Sequence, residues 1–400
     1  MNVEKQARDL NETIVALRRE LHAHPELEHD LPFTESVVVR ELSKLGLDEI
    51  KSGQGRGHGV FATLKGAKNG KDGKPGKVLA LRSDMDALPV KEETGLPFAS
   101  ENGSMHACGH DAHVAMLLGT AKLLAESRAE LAGTVRFIFQ PSEEAVGGAG
   151  SMIESGALEN PRVDEIIGLH TGNIWNGLEP GQIGWRAGPF MAATSVCRIL
   201  LEGKGGHGAM PHLTVDPIVM AAEVISQLQT LVSREVNPFD PAVVTIGKIE
   251  GGTASNVIAG NCEMRGTVRS FDAGVAAFLK ERIRATAEGV AASMRGRATV
   301  EFFGDLAAVI NDKAAALRMR DIVTSVLGEQ WVREVEFPTS GSEDFSYYLA
   351  ERPGAFFFHC SSFGGGRDYP HHHPKFDVNE SVLWTGTAAM TAYALHWQDE

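Results

Sequence analysis

Apolar residues recur every three or four positions over residues 10–21, and this spacing predicts an amphipathic helix near the start of the chain. Short apolar runs without that period, at residues 78–81, 135–139 and 166–169, are typical of buried strands. Helical patterns separate these runs. Strands that alternate with helices predict an α/β sheet covered by helices on both faces.

Polar residues follow each of these strands directly. Asp84 and Asp86 come after the first run, Glu143 and Glu144 after the second, and His170 after the third. In open α/β sheets, ligands gather beyond the carboxyl ends of the strands. The repeated placement of these residues therefore predicts an active site at one edge of the sheet.

The pattern changes between residues 188 and 303. Short β-like runs there, at 195–201, 242–249 and 262–270, flank helical patterns, which is typical of an α+β domain with an antiparallel sheet and two helices on one face. The α/β pattern then resumes. We expect a catalytic domain interrupted by a second domain, with a first part at 1–187, the inserted domain at 188–303 and a second part at 304–400.

Composition narrows the possible functions. The 400 residues exceed one ordinary core, and a hydrophobic fraction of 43% with 22% charged residues is normal for a globular protein. A net charge of −14 argues against nucleic-acid binding, which needs a basic face. The sequence shows no membrane span and no secretory signal, and its four cysteines are far apart. We therefore expect a cytoplasmic protein without a membrane partner.

The candidate chemistry is that of a metal site. Cys108 and His110 flank a glycine, and thiolate and imidazole are common ligands of divalent ions. Glu143 and Glu144 could divide the work, one binding metal and the other taking a proton from water. Cys108 could instead be a nucleophile, but its neighbours favour metal binding. "SGSED" at 340–344 does not supply the Gly-x-Ser-x-Gly elbow of a serine hydrolase.

Ten motifs in register carry a family resemblance over nearly the whole chain. They are "RRELHAHPELE", "LRSDMDALPV", "HACGHDAH", "QPSEEAVGGA", "GLHTG", "GKGGHGAMPH", "GGTASNVIAG", "GTVRSFD", "SGSEDFSYYL" and "HHPKFDVNE". The chain resembles M20-type metallopeptidases of the branch with N-acyl-amino-acid amidohydrolases, hippurate hydrolases and auxin-conjugate hydrolases. The resemblance implies a zinc-peptidase-like α/β catalytic domain with a central mixed sheet and an inserted α+β lid domain.

The resemblance also implies two divalent metal ions per chain, with manganese, zinc, cobalt and nickel all open. The implied metal ligands are Cys108, His110, Glu144, His170 and His372. Cys108 would bridge the ions. Glu143 would be the general base and later the acid, and Asp86 would orient the site from behind the ligands. His371 and His373 would be neighbours only. His106 and His113 would have packing or supporting roles, and Asp111 would bond a ligand or cap the following helix.

The inserted domain resembles a lid that forms homodimers in relatives. By the same resemblance, His207 would stabilise the oxyanion from its own chain or from a partner subunit. Asn256 and Arg269 would hold the substrate carboxylate, for which an arginine fork is well suited.

The implied reaction is metal-dependent cleavage of the amide bond of N-acyl amino acids, giving a carboxylic acid and a free amino acid. Acetyl, benzoyl, longer-chain and indole-acetyl groups all remain open on the acyl side. The main alternative is a dipeptidase or aminopeptidase with the same metal site. A non-catalytic metal-binding protein and a thiol-dependent hydrolase centred on Cys108 are further alternatives.

Overall fold

The structure is a computed structural model, and it describes residues 2–68 and 76–398. Its α-helices are α1 (Val3–His22), α2 (Pro32–Leu42), α3 (His110–Glu126), α4 (Gly148–Glu154), α5 (Pro217–Thr230), α6 (Ala273–Ser293), α7 (Lys313–Leu327), α8 (Ser346–Glu351) and α9 (Leu383–His396). Shorter helical turns are Pro211–Leu213, Leu231–Glu235, Glu329–Trp331 and Glu380–Val382.

The β-strands are, in chain order, β1 (Glu49–Gln54), β2 (Gly59–Lys65), β3 (Val78–Asp84), β4 (Thr134–Gln140), β5 (Glu165–Gly172), β6 (Ile183–Trp185), β7 (Gly188–Met191), β8 (Ala193–Glu202), β9 (Gly206–His207), β10 (Ala242–Gly251), β11 (Val257–Ile258), β12 (Asn261–Ser270), β13 (Arg297–Leu306), β14 (Val309–Asn311), β15 (Val332–Glu334) and β16 (Gly354–Cys360).

The chain forms two compact units. The first consists of Met1–Phe190, Ile310–Thr339 and Asp344–Glu400, and the second of Met191–Val309 and Ser340–Glu343. None of the helices within the described ranges is long and apolar enough to cross a membrane.

The first unit is built on a mixed sheet with the order β1-β2-β4-β3-β5-β16-β6-β15. Its central strands β4, β3, β5 and β16 are parallel, so their carboxyl ends lie at the same edge. These strands are buried along almost their whole length, as expected for parallel strands covered on both faces. Helices flank this sheet, which confirms the predicted mixed α/β class.

Helix α3 forms the centre of the first unit. Nearly every one of its residues is buried, because the sequence from Ala112 to Leu124 is almost continuously apolar and α1, α9 and the sheet surround it. The helix begins immediately after Cys108-Gly109, so its packing fixes the first turn, where His110 lies. The hydrophobic core thereby positions candidate ligands at the sheet edge.

The second unit has its own core. Its antiparallel sheet has the order β10-β12-β8-β13 and packs against α5 and α6. Alternate residues of β8 are buried, namely Ala193, Ser195, Cys197, Ile199 and Leu201, as expected when one face of a sheet is covered. Sequence periodicity predicted the strands β8, β10 and β12 and both helices, but not β13.

A buried arginine holds strand ends together in the first unit. The Arg82 side chain, fully buried on β3, donates to Asp84 Oδ2 at 2.6 Å, Gln140 Oε1 at 2.8 Å and Asp344 Oδ1 at 2.9 Å. The Gln140 amide donates in turn to both oxygens of Asp344 at 2.8 Å. These contacts balance two buried carboxylates below the edge where the candidate ligands lie.

Arg82→Met should therefore destabilise the first unit strongly, because it leaves buried carboxylates without their cation. Breaking such a pair costs about 3–5 kcal/mol. Arg56→Met is the matched control, since the Arg56–Glu154 pair is two-thirds exposed and exposed pairs contribute only about 0–1 kcal/mol. Urea unfolding in excess chelator, followed by tryptophan fluorescence, gives both values. Equal losses in the two variants would contradict the assignment.

Candidate metal centre

Asp86 joins two of the predicted motifs. Its Oδ1 accepts the backbone N–H of Glu143 at 2.9 Å, and its Oδ2 accepts the N–H of Glu144 at 3.0 Å. Its backbone carbonyl accepts the Nδ1–H of His110 at 2.8 Å. One aspartate therefore fixes the loop that carries both glutamates and the ring orientation of a candidate ligand.

The glutamate loop leaves β4 through a tight turn. Ser142 has φ 58°, an uncommon conformation for a residue other than glycine. Gly148 lies so close that a Cβ there would be 1.8 Å from the Pro141 carbonyl oxygen, so no larger residue fits. This turn places Glu143, which is 8% exposed, and Glu144 beside the start of α3.

His110 has one nitrogen directed toward negative charge. The Nδ1–H donates to a carbonyl, and within the described residues the buried Nε2 makes no hydrogen bond. It lies 3.8 Å from Asp84 Oδ2 and 3.9 Å from Glu144 Oε1. Burial lowers the pKa of His110, but Asp84, Asp86 and Glu144 outweigh it and raise this pKa to about 10. Such a concentration of carboxylates favours a bound cation.

Cys108 lies where the candidate ligands converge. Its Sγ is 3.5 Å from His170 Nε2 and 3.4 Å from His371 Nδ1. Gly109, with φ 85°, makes the turn that brings Cys108 and His110 to the same side. Burial, followed by the charges of Glu144 and Glu143, raises the pKa of the Cys108 thiol well above its usual range. A thiolate here needs a cation beside it.

His170 and His372 complete the cluster. The His170 Nδ1–H donates to the Thr171 carbonyl at 2.9 Å, and burial lowers the pKa of His170 well below its usual value, so Nε2 keeps its lone pair. The Nε2 of His372 is 3.4 Å from Glu144 Oε1, and the Glu144 carboxylate raises the pKa of His372. The half-exposed His372 lies on the open side of the site.

These side chains form overlapping groups whose candidate ligand atoms lie within 4.8 Å of one another. The groups are Cys108, His110 and His170; Cys108, Glu144 and His372; and His110, Glu143 and Glu144. Cys108, His110 and Glu144 each belong to two of them, so the three groups form one continuous cluster. Glu144 Oε1, like His110 Nε2, is buried without a hydrogen bond in the described part of the chain. The donor set fits divalent ions that accept nitrogen, sulfur and oxygen.

Three predicted site residues lie in the second unit. His207 pairs with Val257 across the short strands β9 and β11, and the Asn256 carbonyl accepts the N–H of Gly208 at 2.8 Å. Arg269, near the end of β12, donates to the Ser340 carbonyl at 2.7 Å and to Ser342 Oγ at 2.8 Å.

Asp111 bonds the start of α3, in line with one of the two suggested roles: its Oδ1 accepts the N–H of Ala112 at 2.9 Å. Its other oxygen has partners that the sequence did not suggest. Its Oδ2 accepts from Arg18 Nε at 2.8 Å and lies 2.7 Å from His22 Nδ1. Burial and the Arg18 charge lower the pKa of His22, but hydrogen bonds to Asp111 and Glu92 raise it overall. Sequence reasoning missed this cluster, although Arg18 and His22 continue the buried stripe of Ile14 at four-residue steps.

Asp84 is a second residue that sequence reasoning left without a role. Its Oδ1 accepts from His113 Nδ1 at 2.5 Å and its Oδ2 from Arg82, so both oxygens are used. The His113 Nε2 accepts the N–H of Thr171 at 2.7 Å, which ties this pair to the strand that carries His170. The feature of the sequence that could have indicated this role is Arg82, a charged residue inside the apolar run "VLALRSD".

Comparison with known proteins gives a consistent result. A sequence profile of "Peptidase family M20/M25/M40" matches residues 80–396. An N-acetyl-L-cysteine deacetylase of Bacillus subtilis is 39% identical over 94% of this chain and 85% of its own length. Thermostable carboxypeptidase 1 of Saccharolobus solfataricus is 37% identical over 98% of this chain and 97% of its own. A crystal structure of a dinuclear metal-binding M20 peptidase of Bacillus subtilis superposes with a TM-score of 0.82, at 36% identity over 98% and 99% of the two chains.

Divalent ions should stabilise the chelator-treated protein through Cys108. At 100 times its Kd, a ligand of the folded state adds about 2.7 kcal/mol, which a thermal melt with Zn²⁺ or Co²⁺ detects as a higher Tm. Cys108→Ala should lose most of this gain, whereas the control Cys197→Ala, at a buried cysteine of the second unit, should keep it. The same ion-induced shift in both variants would argue against Cys108 as a ligand.

Proposed function

This chain belongs to peptidase family M20/M25/M40 and is a metal-dependent hydrolase of amides, and from this we propose that its substrates are N-acyl amino acids. The products would be a carboxylic acid and a free amino acid. One observation carries the proposed reaction. Glu143 is a buried carboxylate that lies within 4.8 Å of candidate ligand atoms and is not needed to complete the ligand set.

The proposed ligands are Cys108, His110, Glu144, His170 and His372, and they would hold two divalent ions. Bound ions of this kind polarise a carbonyl oxygen and make water more acidic. Manganese, zinc, cobalt and nickel are all compatible with this mixture of donors. The family relationship supports metal binding, and the number and identity of the ions belong to our proposal.

Glu143 is proposed to move the protons of the reaction. Its carboxylate accepts a proton from the attacking water as the oxygen adds to the amide carbonyl carbon, and then delivers a proton to the nitrogen as the carbon–nitrogen bond breaks. Asp86 keeps Glu143 in place, since it accepts the Glu143 backbone N–H at 2.9 Å. This bond fixes the loop without using the Glu143 carboxylate.

Substrate contacts are proposed for His207, Asn256 and Arg269. His207 would donate to the oxyanion, and Asn256 and Arg269 would hold the carboxylate of the amino acid. On β12, Asn261 pairs with Glu202 at one end, and Arg269 pairs with Thr194 near the other end. Asn261 and Arg269 are eight residues apart. At roughly 3.3 Å per residue these positions are about 26 Å apart. Because His207 and its neighbour Asn256 both lie beyond the Glu202 end, this separation supports a partner subunit, in a homodimer, as the source of both His207 and Asn256.

The peptidase alternative has one observation in its favour. A relative at 37% identity is called a thermostable carboxypeptidase, and such an enzyme could use the same metal site on a peptide bond. The similarity to the deacetylase, at 39% identity, supports acylated amino acids as the substrates instead.

Cys108 is disfavoured as a nucleophile, because its raised pKa keeps the thiol protonated when no cation is bound. The acidic net charge argues against binding to nucleic acid or an anionic membrane surface, and four widely spaced cysteines support the proposal of a cytoplasmic enzyme.

A panel of N-acetyl, N-benzoyl and longer-chain N-acyl amino acids, together with dipeptides, tests the substrate class. We expect release of free amino acid from acylated substrates with added Mn²⁺ or Zn²⁺, and none in excess chelator. Cleavage restricted to dipeptides would establish the peptidase alternative. Release that persists under chelation would point to Cys108 as the nucleophile.

Glu143→Gln should separate proton transfer from metal binding. General acid–base groups contribute about 10²–10⁴-fold to rates, so we expect a loss of kcat in that range with metal content unchanged. Glu144→Gln should lose metal as well as activity. Glu154→Gln, at an exposed position, serves as the neutral control. A near-normal rate in Glu143→Gln, with metal bound, would exclude Glu143 as the base.

A further inference from the structure

Arg18 contacts three carboxylates although it is almost completely buried. Its side chain on α1 is 1% exposed. Its Nε donates to Asp111 Oδ2 at 2.8 Å, its Nη2 to Asp377 Oδ1 at 2.9 Å and its Nη1 to Glu380 Oε1 at 3.0 Å. We call Arg18 with Asp111, Asp377 and Glu380 the Arg18 clamp. None of these residues is among the proposed metal ligands.

The clamp joins two segments that both carry proposed ligands. Asp111 directly follows His110 in the first turn of α3, and Asp377 follows His372 by five residues. These segments are more than 250 residues apart in the sequence. On the side of the metal site they are connected by a backbone hydrogen bond, from the His372 N–H to the Ala107 carbonyl at 2.8 Å, and by the contact of Cys108 Sγ with His371 Nδ1 at 3.4 Å.

Attachments on two sides restrict the segments more than attachments on one side do. Contacts on the metal side alone leave the segments able to pivot about them, whereas a further attachment away from the site fixes their relative orientation. Arg18 supplies this further attachment from behind. His22 strengthens it, since its Nδ1 lies 2.7 Å from Asp111 Oδ2 and its Nε2 lies 3.1 Å from Glu92 Oε1.

The contacts require an arginine. Without the guanidinium, three carboxylates would lie close together with like charges, in a site from which water is largely excluded. Arginine presents five donors in a fixed planar fork and can bond several carboxylates at once. A lysine ammonium is a point charge on a flexible chain and cannot reproduce these directions.

We infer that Arg18 is a positioning residue for the metal site, which sets the placement of His372 relative to Cys108 and His110 through Asp377 and Asp111. The inference rests on the proposed function only for which residues are the metal ligands. Partners that orient metal ligands typically change metal affinity by 10–100-fold when they are lost. Cation affinity should therefore depend on a residue that contacts no ion.

The test compares Arg18→Met and Arg18→Lys with the control Arg19→Met. Arg19 follows Arg18 in α1 and pairs with Glu380, but its side chain is 50% exposed and, among the described residues, its side-chain hydrogen bonds go to Glu380 alone. The Kd for Zn²⁺ is measured on the chelator-treated full chain, by competition with a fluorescent zinc indicator, after circular dichroism has shown that each variant is folded. We expect both Arg18 variants to raise the Kd by about 10–100-fold, and Arg19→Met to leave it within about twofold.

Saturating metal provides a second readout. If Arg18 acts through placement of the ligands, Arg18→Lys should regain most of its kcat at high Zn²⁺ or Mn²⁺. A purely structural role predicts a lower Tm of the metal-free protein with an unchanged Kd, and that result in Arg18→Lys would overturn the inference.

Asp377→Asn covers the case in which Arg18→Met does not fold. The Asp377 side chain is 22% exposed, and this change weakens only the attachment of the His372 segment. A raised Kd in Asp377→Asn supports the inference, and an unchanged Kd overturns it. A wild type that binds no ion would overturn the metal site and the clamp together. A wild type that binds ions but cleaves no N-acyl amino acid would overturn only the substrate class.

Discussion

Carboxylates buried at the edge of a parallel sheet are costly unless a cation lies against each of them. The first unit meets this need within the chain for most of its acids: Arg82 lies against Asp84 and Asp344, and Arg18 lies against Asp111. Glu144 differs. Its ion pairs among the described residues are with histidines, and its remaining close neighbour is a thiol. Both kinds of group can give up a proton, so this is the place where a metal ion can supply the positive charge. Arginine pairing thus distinguishes Asp84, Asp344 and Asp111 from the proposed ligand Glu144, whereas Asp86 is held by two backbone N–H groups.

The sequence predicted most of the features that depend on local pattern. The strands β3, β4 and β5, which carry or precede Asp84, Glu143 and His170, follow from mainly apolar runs, and strands of the second unit follow from short β-like runs. Contacts between distant segments were not predictable in the same way. Arg18 stands on the buried face of its helix, but its partners are 93 and 359 residues away, and no local spacing reveals them. The contacts of Asp111 with Arg18 and His22 were missed for this reason.

The histidine run at 371–373 shows a different limit. Three adjacent imidazoles have the same local signal, and only the fold separates them. His371 Nδ1 faces Cys108, and its Nε2 accepts the N–H of Asn173 at 3.3 Å, so both nitrogens are engaged. His372 faces Glu144, and His373 stacks on Tyr369. The proximity of His371 to Cys108 makes it a closer neighbour of the site than the sequence indicated.

The inserted second unit also affects the order in which the site can be built. Four proposed ligands, from Cys108 to His170, lie before the insertion, and His372 lies 202 residues after His170. At a synthesis rate of about 5–20 residues per second, this stretch takes about 10–40 s to translate. During that time a nascent chain offers an incomplete ligand set, with the carboxylates and the thiol already made. The set of proposed ligands is therefore complete only after the whole second unit has been synthesised.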